Sequence, residues 1–209
     1  MLIIVSVLAA LVARVFFVSV YKVSTQTMAP VFLAGDYVLA SQVSYGFKFP
    51  INNESYFKSS PAVGDLVVYT SAGKTYIKRV MAKAGSEIEY FHSKLSINSI
   101  QCEYLNAKQR PSGTHETLDE KCGNLIHPVL RALDSASATI VPKTLLNEGQ
   151  FLAIADNRSP DSNGVSAELV NYDQIVGKPI LIWMSYTSTQ DFISEANGFR
   201  WNRILTIPQ

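Results

Sequence analysis

The chain opens on MLIIVSVLAALVARVFFVSV, twenty residues in which Arg14 is the single charged side chain. Apolar surface of that extent must leave water. A helix that crosses a hydrocarbon layer of roughly 30 Å needs about 20 residues, so the run is nearly long enough to span, and residues 1–20 are expected to form a membrane anchor helix with a domain at 21–209 behind it. The uninterrupted part, Leu2 to Ala13, is short. It fits a tilted helix with Arg14 snorkelling to the headgroups, or a span that ends near Arg14. A cleaved secretory signal is the rival reading, but no basic region leads the run and Arg14 interrupts it. Charge alone does not fix the topology, because the positive-inside signal is almost absent.

After the leader the patterns shorten. Asp36–Val43, Asp65–Tyr69, Thr75–Met81 and Glu87–Phe91 are rich in Val, Ile and Tyr and bounded by Gly, Pro or Ser, as strands are. The polar Ser71-Ala72-Gly73-Lys74 joins two such runs, which predicts a hairpin with Lys78 on its second strand. Strand patterning resumes at 138–141, 150–155 and 174–185, whereas 106–137 is more polar and lacks alternation, so a loop-rich insertion is expected there. The tail Phe199–Leu205 sets two arginines around Trp201, and two placements fit it: packed back on the domain, or near a membrane surface. The fold class is therefore mostly β.

With a net charge of +1 and 17% charged residues, the chain has no broad electrostatic footprint for nucleic acid. Two cysteines, Cys102 and Cys122, suit one disulfide in an exported domain, or two separate buried thiols. No C-x-x-C pair is present, and His92, His115 and His127 show no ligand spacing, so neither metal nor cofactor is expected.

Chemistry enters through four separated segments. Ser24-Thr25-Gln26-Thr27-Met28-Ala29-Pro30 follows the anchor and leads to Gly35-Asp36 and Tyr45-Gly46; Gly64-Asp65-Leu66-Val67-Val68-Tyr69 and Tyr76-Ile77-Lys78-Arg79-Val80 come next. The fourth, Asp156-Asn157-Arg158-Ser159-Pro160-Asp161-Ser162, leads into Val176-Gly177-Lys178 and Trp183-Met184. In this order they resemble the boxes of the bacterial type I signal peptidases: Ser-Met-x-Pro after a membrane span, G-D-hydrophobic-V-V, hydrophobic-K-R-V, and G-D-N-R with S-x-D-S-R. Each box alone is weak, and the ordered set is specific. The S-x-x-K spelled by Ser71–Lys74 is a decoy, since penicillin-recognising chemistry needs that serine and lysine one helical turn apart.

The resemblance implies an antiparallel β-sheet or barrel domain, single-pass in the cytoplasmic (inner) membrane with its catalytic part on the extracytoplasmic, periplasmic side. Its partners would be the lipid bilayer and an exported preprotein or pilin-like peptide, cleaved after small residues. It places the nucleophile at Thr27 and the general base at Lys78, an arrangement that needs no histidine. It puts the oxyanion hole at the Thr25 hydroxyl and the Thr27 N–H, substrate contacts at Met28 and Pro30, and lysine-supporting groups at Ser159 and Asp161. Ser159 takes its role only if the family interval is two residues shorter here. Lys78 is expected within about 2.6–3.2 Å of the Thr27 hydroxyl, with Ser159 as its second partner. An exposed lysine titrates near about 10.4, so burial must lower that value for Lys78 to act as a base.

Three departures mark the chain. Threonine stands at position 27 where the family has serine, and its methyl restricts rotation about χ1. Asn163 replaces an arginine, and Ala155 replaces a glycine, which bears on close backbone approach. Two functions stay open: a working peptidase, and a catalytically impaired relative that binds peptides or partner subunits.

Overall fold

A computed structural model describes residues 4–6, 17–48, 55–56, 59–110, 113–133, 139–159, 166–187 and 198–208. Its strands are β1 (Val18–Lys22), β2 (Asp36–Ser41), β3 (Phe47–Lys48), β4 (Ser55–Tyr56), β5 (Leu66–Ser71), β6 (Lys74–Lys83), β7 (Glu87–Phe91), β8 (Lys94–Ile97) and β9 (Ile100–Gln101). These are followed by β10 (Glu103–Gln109), β11 (His115–Cys122), β12 (Leu125–Ala132), β13 (Val141–Leu145), β14 (Gln150–Ile154), β15 (Ala167–Asn171), β16 (Ile175–Thr187) and β17 (Gly198–Phe199). The mostly β reading therefore holds.

The main sheet runs β1-β2-β16-β5-β6-β14-β15, with β17 added on β16, and its neighbours pair antiparallel. The β5–β6 hairpin closes through Ala72 and Gly73, both at positive φ (49° and 74°). Two such residues between strands give the turn whose twist matches a hairpin, which glycine and a small residue allow. The register that follows sets Val67 opposite Lys78 and Leu66 opposite Arg79. Successive side chains point to opposite faces. Ile77 and Met81 therefore join apolar clusters on one side of β6, while Tyr76 and Val80 join a cluster of Val67, Tyr69, Phe151 and Val170 on the other.

Two expectations are corrected. Residues 106–137 are not loop-rich: β10, β11 and β12 form a three-stranded meander. Much of β10 is exposed, so the strand has no buried face to impose a period-2 hydrophobic signal. Cys102 and Cys122 join as a disulfide at the base of this meander, their Cα atoms 4.6 Å apart. The second correction is the end of the expected anchor, since Val18–Val20 belong to β1 and pair with Ser41, Ala40 and Leu39. Most of the anchor lies outside the described residues, among which no helix is long and apolar enough to cross a membrane.

The tail packs back on the domain. Arg200 and Arg203 both reach the fully buried carboxylate of Asp36, at 3.3 and 2.6 Å, while the Trp201 ring is 74% exposed and stacks on Phe199.

Candidate active site

The Thr27 turn is anchored from below. Met28 is buried in a cluster with Val23, Phe32, Val38 and Leu66, against which Ile77 packs. Ile77 directly precedes Lys78, so the same apolar cluster seats both chain segments that carry the expected dyad. Ala155 sits in this cluster with its backbone N–H on the Ser166 carbonyl, so the methyl that replaces the family glycine fills core space. Met28 is thus a core residue, and Pro30 is half-buried beside it.

Polar contacts then fix the segments to one another. Arg79 donates Nε and Nη2 to the two carboxylate oxygens of Asp156, at 2.9 and 2.8 Å, with both side chains buried. The next residue, Asn157, donates its backbone N–H to the Thr27 carbonyl at 3.0 Å and its side-chain amide to the Gln26 carbonyl at 3.0 Å. Asp156–Asn157 therefore clasps the Thr27 turn and the strand of Lys78 and Arg79. The meander is locked to the same segment, because Leu130 donates to the Asp156 carbonyl and Arg158 donates to the Leu130 carbonyl. Behind the clasp, Arg158 pairs with the buried Glu120 at 2.5 Å. His127 lies 3.3 Å from Glu120 and 3.7 Å from Asp156, yet burial and the cations Arg79 and Arg158 outweigh those carboxylates and push its imidazole down to about 2, so it is neutral. It is a packed member of this network and lies on the side of β6 that carries Arg79.

Thr25 and Thr27 face each other with their hydroxyl oxygens 3.0 Å apart, within hydrogen-bond distance of one another. Lys78 is 2% exposed, and burial pushes its amine down to about 8, against a nearby Glu168 that favours the cation. Its expected partners differ from those found. Among the described residues the amine is hydrogen-bonded neither to Thr27 nor to Ser159; it donates to Glu168 at 3.5 Å and lies over the rings of Tyr69 and Tyr76. A cation taken out of water goes to a carboxylate and to aromatic faces before a neutral hydroxyl. The Ser159 hydroxyl is fully buried and lacks a hydrogen-bond partner among the described residues, while its N–H bonds the Asn157 side chain. Asp161 and Asn163 lie outside the described residues.

The Asp156–Asn157 clasp thus ties together segments from the sequence boxes, the Thr27 turn and the strand of Lys78 and Arg79, while the Lys78 side chain lies with Tyr69 and Tyr76 on the other face of β6. Residues 1–184 match the family described as signal peptidase, peptidase S26. The chain belongs to the signal peptidase family. It is 27% identical to signal peptidase I of Pseudomonas fluorescens over 193 residues, covering 84% of this chain and 68% of that protein. It is 26% identical to signal peptidase I of Buchnera aphidicola subsp. Schizaphis graminum over 240 residues, or 92% and 76% of the two chains. Signal peptidase IB of Staphylococcus aureus is 26% identical over 165 residues, covering 78% and 76%.

Arg79, Asp156 and Asn157 belong to motifs visible in the signal peptidase boxes, although no role could be assigned to any of the three from sequence alone. Glu168 carries no such signal. It stands outside the boxes in the stretch before Val176-Gly177-Lys178, and only the pairing of β14 with β15 brings it to the lysine. Among the described residues no group of three or more His, Cys, Asp or Glu is arranged to hold a metal.

Proposed function

We propose that this chain is a membrane-anchored endopeptidase that cleaves exported preproteins or pilin-like precursors after small residues, with Thr27 as nucleophile and Lys78 as general base. The observation that carries the reading is the Asp156–Asn157 clasp, in which one dipeptide holds the guanidinium next to Lys78 and the carbonyl of Thr27. A substrate bound as an extended strand beside the Thr27 turn would gain affinity from main-chain hydrogen bonds, with shallow pockets selecting small side chains.

With its pKa lowered to about 8, the Lys78 amine is substantially neutral at mildly alkaline pH. Swinging from Glu168 toward Thr27, it takes the hydroxyl proton as Oγ1 attacks the scissile carbonyl carbon. The carbonyl π pair moves onto oxygen, where the Thr27 N–H and the Thr25 hydroxyl are the donors. Collapse breaks the C–N bond, the leaving amine takes the proton back from the lysine, and an ester remains on Thr27. A water deprotonated by the neutral amine then attacks the ester carbonyl, the C–Oγ1 bond breaks, and the lysine returns the proton to the Thr27 oxygen. Ser159, whose buried hydroxyl has acceptor capacity to spare, supports the ammonium stage, and Asp161 orients it.

A specific observation favours a second reading, a peptide-binding relative without turnover: Thr27 is engaged by Thr25, and Lys78 by Glu168. Incubating the detergent-solubilised chain with a preprotein, beside Thr27→Ser and Thr27→Ala, separates the two. Cleavage that survives in Thr27→Ser and vanishes in Thr27→Ala supports the peptidase. No cleavage by the parent, with retained peptide binding, supports the second.

A further inference from the structure

Glu168 is held in place by groups other than the lysine. The Tyr69 hydroxyl donates to Oε2 at 2.7 Å and the Ser71 hydroxyl to Oε1 at 2.6 Å, so each carboxylate oxygen has a short hydroxyl contact from β5. Those side chains reach over β6 and β14 to β15, which is open to them because the intervening position on β14 is Ala153, paired with both Val80 and Glu168. The carboxylate is thus fixed whether or not the amine is near.

Lys78 meets this carboxylate at 3.5 Å, longer than the 2.7–2.9 Å or so of a strong charged contact. Each carboxylate oxygen already accepts one hydroxyl hydrogen bond, Oε2 from Tyr69 and Oε1 from Ser71. The amine is attracted but not trapped, and its remaining neighbours are the faces of Tyr69 and Tyr76, 5.8 and 5.5 Å from the ring centroids. The titratable groups that face Lys78 are therefore Tyr69 from β5, Tyr76 from its own strand and Glu168 from β15. Burial and the Glu168 carboxylate hold the Tyr69 phenol well above its usual range, so it stays neutral. Burial works against ionisation of Glu168, but Ser71, Tyr69 and Lys78 together hold it below the usual carboxylate range, so it stays charged.

We infer that Glu168 is the positioning residue for Lys78: a carboxylate pinned by Tyr69 and Ser71 that sets the protonation of the lysine amine and holds it between encounters with Thr27. The consequence for catalysis rests on the dyad reading given above; the hold on the amine does not. Without the carboxylate, burial acts on Lys78 unopposed and the amine loses its proton at lower pH. Freeing one carboxylate oxygen from its hydroxyl should do the reverse, since that oxygen can then turn to the amine.

The test is a pH titration of the Lys78 side-chain carbon signal by NMR in the full-length, detergent-solubilised chain carrying Thr27→Ala, with the signal assigned by its loss in Lys78→Met. The expected midpoint falls by roughly one pH unit or more in Glu168→Gln, stays within a few tenths of the parent in Glu168→Asp, and rises in Tyr69→Phe. An unchanged midpoint in Glu168→Gln overturns the inference. Should Glu168→Gln fail to fold, Tyr69→Phe decides: a raised midpoint supports the inference, and an unmoved or lowered one overturns it. With Thr27 intact, the alkaline limb of cleavage should follow the NMR midpoint from variant to variant. A midpoint that moves while the limb stays put leaves Glu168 in its role and removes Lys78 as the base.

Discussion

Replacing Asp156 by alanine strips the buried Arg79 guanidinium of both carboxylate contacts, 2.9 and 2.8 Å long. The two side chains are 4% and 1% exposed, so water does not take the place of the lost acceptor. Removing one partner of a buried ion pair costs about 3–5 kcal/mol, because the other charge is left uncompensated. The Gly64 carbonyl, 3.0 Å from Nη1, still serves one donor and argues for the lower part of that range. At about 2–4 °C per kcal/mol for a chain of this size, the melting temperature should drop by roughly 6–20 °C. The double variant Arg79→Met with Asp156→Leu removes both charges and keeps apolar bulk, so it should recover most of the loss. Thermal unfolding of the detergent-solubilised chain by circular dichroism reads both values. A drop below about 2–4 °C in Asp156→Ala, equivalent to roughly 1 kcal/mol, would refute the view that this pair clasps the site, as would a double variant no more stable than the single one.

Lys78→Met should fold and lose all cleavage, while cleavage by the parent rises as pH passes about 8. The fold lowers the amine from 10.5 to about 8, so between those values the unfolded chain holds more protons, and stability relative to Lys78→Met should rise with pH; a fall across that window in paired melts counts against the buried amine. Gly35→Ala places a Cβ 1.9 Å from the Tyr186 carbonyl oxygen at a φ of +90°, and should cost about 2–6 kcal/mol. A loss under about 1 kcal/mol in the melt would show that this close approach relaxes freely. Reduction of Cys102–Cys122, which spans 20 residues, should cost about 3 kcal/mol. Non-reducing mass spectrometry that finds two free thiols would contradict the bridge.

What was legible in the sequence were features whose cause is local. Ala72-Gly73 announces a tight hairpin because both positions need positive φ, and with the turn known the strand alternation places Lys78 on β6. The boxes also group residues that meet in space, as Arg79 and Asp156 do. The 106–137 meander was hidden because β10 is mostly exposed, and because several positions that β11 and β12 bury, His115, Glu120 and His127, are polar and read as solvated. Glu168 was hidden for a different reason. A carboxylate in a polar stretch looks solvated, and its place depends on pairing across strands 90 or more residues apart in the chain. The expected contacts of Lys78 with Thr27 and Ser159 failed for the same cause, since a competing partner invisible in sequence holds the amine.

The clamp of Arg200 and Arg203 on Asp36 joins positions 164 and 167 residues apart. It bears on the order in which the chain, made from its N-terminus, reaches its final form. Asp36 is fully buried and also accepts from Ser185 and from the Leu33 backbone, but the cations that balance its charge are translated long after it. Until residues 200–203 emerge, strand β2 can be paired only with its carboxylate exposed or uncompensated, which keeps the Thr27 turn behind it loose. The domain can therefore complete this pairing only after residues 200–203 have been made, and a stop codon placed just before Arg200 would leave the buried Asp36 carboxylate without its two cations.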